Sequence, residues 1–172
     1  MAQPSRPVWR LKVGEEAPEF ELIATGEQAG KGGPRKKIRL SDYRGKKNVV
    51  LAFFPLAFSP VCSHQLPDLQ RHMNEFRELD AVVFGISVDS HYANEAFARQ
   101  LGLEFPLLSD FKRQAMAAYG VLQADKGHSG RALFAIGKDG RIAYADISAN
   151  PGDPAQVPSP ERLIDALRAM AH

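Results

Sequence analysis

The stretch VVLAFFPLAFSPVCSHQLPDL, residues 49–69, constrains the fold more than any other part of the chain. Its first six residues are β-branched, aliphatic and aromatic, too few to span a membrane and without polar alternation. Such a run is a strand buried on both faces, which places it in mid-sheet. Pro55 then interrupts the ladder, because proline has no N–H to give to it. Ser59-Pro60 reads as a helix N-cap followed by proline at the first helical position, where the missing N–H costs nothing. A helix starting there carries Cys62 in its first turn, among unpaired backbone N–H groups at the positive end of the helix dipole. A thiolate is an anion, so this position predicts a thiol more acidic than an ordinary cysteine.

That cysteine is the only one among 172 residues. It has no internal disulfide partner, so it is either a small core residue or a reactive one, and a disulfide-stapled secreted domain is excluded. The 22 basic and 20 acidic residues leave a net charge of +2, which argues neither for nucleic acid nor for an anionic membrane. The N-terminal MAQPSRPVWRLKVG lacks the apolar core of a signal peptide, and the longest apolar run is broken by Pro55. The expectation is a cytoplasmic protein. With 44% hydrophobic residues and no Ser/Gly/Pro-rich linker, residues 1–172 are read as one domain, with 1–12 an irregular lead-in containing Trp9 as a packing residue.

Around the central strand the chain alternates. Phe20 to Ile23 and Ile38 to Leu40 are short strands joined by a Gly- and charge-rich loop, an N-terminal hairpin whose Arg35 to Lys37 reads as solvated rather than phosphate-binding. Beyond Cys62, apolar Leu66, Leu69, Met73, Phe76 and Leu79 recur at helical spacing, with Pro67 expected to kink the helix about one turn past the cysteine. Ala81 to Val88 is a second buried strand, and Ser90 caps a helix that ends at Gly102. Glu104 to Leu108 is a strand, Asp110 to Tyr119 a helix and Gln123 to Gly130 a polar loop. Arg131 to Ile136 and Arg141 to Ile147 form an antiparallel hairpin whose Asp139-Gly140 supplies positive φ values. After a Pro/Gly-rich loop at 150–158, Ser159-Pro160 opens a last helix with Leu163, Leu167 and Met170 on one face. The fold class is α/β, a central mixed sheet flanked by helices on both faces. Sites in such sheets lie beyond the carboxyl ends of central strands, where Cys62 falls.

These residues carry a family resemblance. Pro55, three residues, Ser59, two residues and Cys62 match the peroxiredoxin active-site pattern. KNVVLAFFPLAF before the cysteine, FPLLSD at 105–110, AYGV at 118–121 and an Arg opening a strand at Arg131 are together similar to the alkyl hydroperoxide reductase E type of one-cysteine peroxiredoxin, in the AhpC/TSA family. The resemblance implies a thioredoxin-like fold, a homodimer and thiol-dependent reduction of hydrogen peroxide or organic hydroperoxides. It implies Cys62 as peroxidatic cysteine, Ser59 and Pro55 in its loop, and Arg131 beside the sulfur. No cofactor is implied. The partners are a peroxide and an external thiol: thioredoxin, a glutaredoxin-type protein or a low-molecular-weight thiol.

Three positions depart from the family pattern. Ser59 stands for the commoner Thr, Gln65 for a Glu and Pro67 for a second cysteine found in some relatives, so no internal resolving thiol exists. Gln65 is assigned no catalytic role. In physical terms, a free thiol is only about 3% ionised at neutral pH, so acidification alone gains roughly thirtyfold. Faster reaction needs donors for the charge developing on the departing oxygen: the Ser59 hydroxyl, the backbone N–H groups of Val61 and Cys62, and Arg131. Pro55 would exclude water. Cys62, His64 and His72 fit no usual zinc spacing, so no metal is expected from them. A non-enzymatic reading also stands: a thioredoxin-like redox sensor or holdase in which Cys62 is a slow switch. A disulfide reductase is disfavoured by the lack of Cys-x-x-Cys.

Overall fold

Alternate residues of the central strand β3 (Asn48–Phe53) go to opposite cores, as the pleat requires. Val49, Leu51 and Phe53 join one apolar cluster with Phe20, Leu40, Met116 and Tyr119, whereas Val50, Ala52 and the following Phe54 join another with Leu66, Phe76, Phe97 and Leu163. Both faces are therefore closed, which is what an unbroken apolar run demands. The computed structural model describes residues 11–25, 36–59, 62–148 and 157–170, and for Cys62 and Ser63 the backbone alone. Trp9, Arg35, Pro60, Val61 and the loop at 150–156 lie outside the described residues.

The remaining strands are β1 (Glu21–Ala24), β2 (Lys36–Arg39), β4 (Ala81–Ser87), β5 (Leu107–Ser109), β6 (Leu122–Gln123), β7 (His128–Ser129), β8 (Ala132–Ile136) and β9 (Ile142–Ile147). A seven-stranded sheet runs in the order β2-β1-β5-β4-β3-β8-β9, and β6 pairs β7 separately. Strands β3, β4 and β5 are parallel, and the N-terminal hairpin and the β8–β9 hairpin add antiparallel strands on either side. The helices are α1 (Cys62–Arg71), α2 (Met73–Glu78), α3 (His91–Leu101), α4 (Gln114–Ala118) and α5 (Pro160–Met170). The apolar residues of α1, α2, α3 and α5 pack on one face of the sheet; α4 and a turn of 3-10 helix at Leu40–Tyr43 cover the other.

Several local expectations change. The segment after Cys62 stays helical through Pro67 and breaks instead at His72, whose N–H turns to the carbonyl of Leu69 at 3.0 Å. Leu66 and Leu69 are fully buried on either side of the proline and hold its helix against the sheet in spite of the lost ladder bond. Strand β5 starts at Leu107, later than expected, because Pro106 has no N–H for the ladder. Helix α4 is shorter than expected: Arg113 sits at φ 61, and the Asp110 carboxylate accepts from the N–H groups of Ala115 (3.1 Å) and Met116 (2.8 Å), capping it from outside. The polar loop at 123–130 contains the small β6–β7 hairpin. In the β8–β9 turn only Gly140 has positive φ, +80, while Asp139 acts through its side chain on the N–H of Arg141. Met170 is 42% exposed rather than in the core face of α5.

Ser90 caps α3 by accepting from the N–H of Ala93, and Gly102 closes it at φ 64, as the spacing predicts. No helix among the described residues is long and apolar enough to cross a membrane.

Candidate active site

Strand β8 runs antiparallel to β3 in a register that pairs Phe53 with Ala132. Arg131, immediately before β8, therefore lies at the carboxyl end of β3, although it is far from that strand in sequence. Helix α1 returns from the same end, with Cys62 as its first residue. The topology thus brings the cysteine-bearing turn and the arginine to one rim of the sheet.

Arg131 is 3% exposed. Its Nη1 donates to Gln65 Oε1 at 2.9 Å, and Gln65, itself 2% exposed, donates through Nε2 to the carbonyl of Phe53 at 3.4 Å. A buried guanidinium stripped of water is costly unless its N–H groups find acceptors, so this bond fixes where the charge sits. Gln65 was assigned no role from sequence; the structure makes it the link between Arg131, α1 and the end of β3. The signal for it was available, since Gln65 is a polar residue one helical turn after Cys62, on the face that buries Leu66 and Leu69.

Pro55 is buried directly after the strand, and Ser59 is half-buried with its hydroxyl oxygen enclosed. The Ser59 N–H donates to the Leu56 carbonyl at 3.3 Å, closing a tight turn in which Phe58 takes φ 68. Three further contacts hold this loop. The Ala57 N–H donates to Asp89 Oδ2 at 2.7 Å, the Phe58 ring packs on Phe97 with centroids 5.0 Å apart, and the Ser129 hydroxyl donates to the Phe54 carbonyl at 3.1 Å. Asp89 and Ser129 escaped the sequence reading. Asp89 follows the parallel neighbour β4, the usual place for a polar group serving a central-strand site, but Ser129 belongs to the small β6–β7 hairpin that was read as loop. Of the expected site, Arg131, Pro55, Ser59 and the backbone of Cys62 are gathered at this rim; Val61 lies outside the described residues, and His64 is exposed on α1.

Comparisons with known proteins show the family. Residues 13–145 match the family model described as AhpC/TSA family. The chain is 36% identical over 162 residues to alkyl hydroperoxide reductase E of Mycobacterium tuberculosis, covering 93% of this chain and 98% of that protein. It is 37% identical over 163 residues to the chloroplastic 2-Cys peroxiredoxin BAS1 of Spinacia oleracea, covering 91% of this chain and 59% of that longer protein. Among solved structures, AhpC of Mycobacterium bovis superposes with a TM-score of 0.78 at 28% identity, covering 94% of this chain and 93% of that one. The reduced 2-Cys peroxiredoxin of Plasmodium vivax gives 0.80 at 28% identity, over 93% and 82% of the two chains. The chain belongs to the AhpC/TSA family, the peroxiredoxins. It has their thioredoxin-like fold and is by family a thiol-dependent peroxidase, an oxidoreductase.

Proposed function

We propose that the chain reduces hydroperoxides through Cys62, in a one-cysteine cycle closed by an external thiol. The thiolate sulfur attacks the nearer peroxide oxygen; an S–O bond forms, the O–O bond breaks, and the departing oxygen takes a proton to leave as water or an alcohol. The sulfenic acid on Cys62 then meets one external thiol, releasing water and forming a mixed disulfide, and a second thiol frees Cys62. A protein with one cysteine has no resolving thiol of its own, so both reducing equivalents come from outside.

The observation that carries the reading is the buried Arg131, bonded to Gln65 on the helix that begins at Cys62. A guanidinium in a site shielded from water stabilises the thiolate and, more strongly, the charge that grows on the departing oxygen. Ser59 and the N–H of Val61 are proposed as donors to the peroxide, and buried Pro55 as the wall that keeps water from the sulfur. Gln65 is proposed as a positioning residue that aims Arg131. The reductant is proposed to be thioredoxin, a glutaredoxin-type protein or a small thiol, and the protein to act as a single-domain homodimer in the cytoplasm.

Steady-state peroxide consumption with each thiol donor tests this against a redox sensor or holdase. Many equivalents of peroxide consumed per chain are expected with at least one donor; consumption that stops near one equivalent with every donor would overturn the peroxidase cycle. Without thiol, mass spectrometry should show Cys62 passing from sulfenic to sulfinic acid; a Cys62 to Cys62 disulfide between chains as the sole product would contradict the one-cysteine cycle.

A further inference from the structure

His72 stands at the break between α1 and α2, facing the start of α5. His72 Nδ1 lies 2.8 Å from Glu75 Oε1, and its Nε2 lies 3.4 Å from Glu161 Oε1 in the first turn of α5. Asp68, four residues earlier, brings a carboxylate oxygen to the same point: one ligand atom each from Asp68, His72 and Glu161 fall within 4.8 Å of one another. We propose that Asp68, His72 and Glu161 form a binding site for a divalent cation of the zinc class, clamping α5 onto the α1–α2 corner.

The donor set fits such an ion in type, and the His72–Glu161 pair fits it in spacing. Imidazole nitrogen and carboxylate oxygen are both zinc donors, and a site with three protein ligands leaves a fourth position to water. Zinc–nitrogen and zinc–oxygen bonds of about 2.0–2.2 Å at a tetrahedral angle place the two ligand atoms about 3.4 Å apart, which is the His72–Glu161 separation. His72 and Glu161 are already held through their other atoms. With Nδ1 donating to the Glu75 carboxylate, His72 turns its Nε2 lone pair toward Glu161, and Glu75 is itself anchored by Arg168 Nη2 at 3.1 Å. Ser159 donates to the other oxygen of Glu161 at 2.7 Å, turning Oε1 toward the ring. Such outer partners orient metal-bound histidines and carboxylates. The ligands are neither Cys62 nor His64; only His72 belongs to the trio considered from sequence.

The test is a titration of the full chain with zinc chloride against a chromogenic chelator, in a Cys62→Ser background so that the thiol contributes nothing. One zinc per chain is expected, with a rise in Tm. Glu75→Gln should weaken binding 10- to 100-fold. His72→Asn and the solvent-exposed Glu161→Gln should each weaken it at least tenfold, and His64→Asn should leave it unchanged. Glu161 is 64% exposed at its side chain, so its variant keeps the fold even if the one at half-buried His72 does not. Absence of zinc binding in the parent chain, or equal affinity in Glu161→Gln and the parent, would overturn the proposal.

Discussion

The two ends of strand β3 solve opposite problems. At its amino end Asp80 faces two lysines, Lys47 at 2.5 Å and Lys138 at 2.8 Å, all nearly half-exposed, and Asn48 donates to the Leu79 carbonyl at 3.0 Å. Two cations surround one anion in water, where each pair adds little. At the carboxyl end a single cation, Arg131, is buried against the neutral amide of Gln65. Water does not screen that charge, so it acts over the whole rim, and its position depends on a few hydrogen bonds rather than on bulk solvent. The amino end ties strands together; the carboxyl end carries a strong, fixed field where the cysteine-bearing helix begins.

Substitutions at the two ends should therefore differ in kind as well as size. The largest effect is expected from Cys62→Ser, which should abolish peroxide consumption while circular dichroism and Tm stay near wild type, since serine keeps the shape but is a far weaker nucleophile. Retained turnover would break the comparison outright. Gln65→Leu keeps most of the volume but removes one acceptor of Arg131 and the donor to the Phe53 carbonyl; it should lower the peroxide rate constant by about tenfold and stability by about 1–3 kcal/mol. Denaturant melts read the second effect and stopped-flow kinetics the first; a wild-type rate would remove Gln65 from the site. Gln65→Glu sharpens the point, because a carboxylate beside Arg131 offsets its field and should raise the Cys62 pKa, read by thiolate absorbance.

The smallest effect belongs to the amino end. The hydrogen bonds from Lys138 and Lys47 lower the Asp80 pKa to about 2. A depressed carboxylate pKa contributes stability that is full above its unfolded value near 4 and lost as pH falls through about 2. Asp80→Asn should thus leave peroxidase activity unchanged and shift the denaturation midpoint slightly at neutral pH, with the difference from wild type vanishing as pH approaches 2. A rate change in Asp80→Asn would mean the two ends are coupled.

How far the sequence told these ends apart follows from how local each signal is. The unbroken apolar run at 49–54 announced a central strand, and Ser90 with Gly102 announced both ends of α3, because each depends on neighbours in the chain. The Pro55, Ser59 and Cys62 spacing is equally local. Arg131 was legible only through the family resemblance, since its place at the rim depends on the antiparallel pairing of β8 with β3. Gln65 was passed over because its function lies in a bond to a residue far along the chain. Pro67 lies inside α1 without ending it, where Leu66 and Leu69 are fully buried on either side, and the helix breaks only at His72. Ser129 and the His72 cluster are likewise products of tertiary packing, and Asp89, though it follows a strand that the sequence marks, acts only through its bond to the Ala57 N–H.

The most direct test of the buried-cation site is the second-order rate constant of Arg131→Met with peroxide, measured against pH beside wild type. If Arg131 stabilises both the thiolate and the departing oxygen, the variant should show a raised Cys62 pKa and, above that pKa, a plateau still about thirtyfold to a thousandfold below wild type, or about 2 to 4 kcal/mol of lost transition-state stabilisation. Recovery to the wild-type plateau at high pH would contradict the transition-state role, and an unchanged profile at every pH would remove Arg131 from the site.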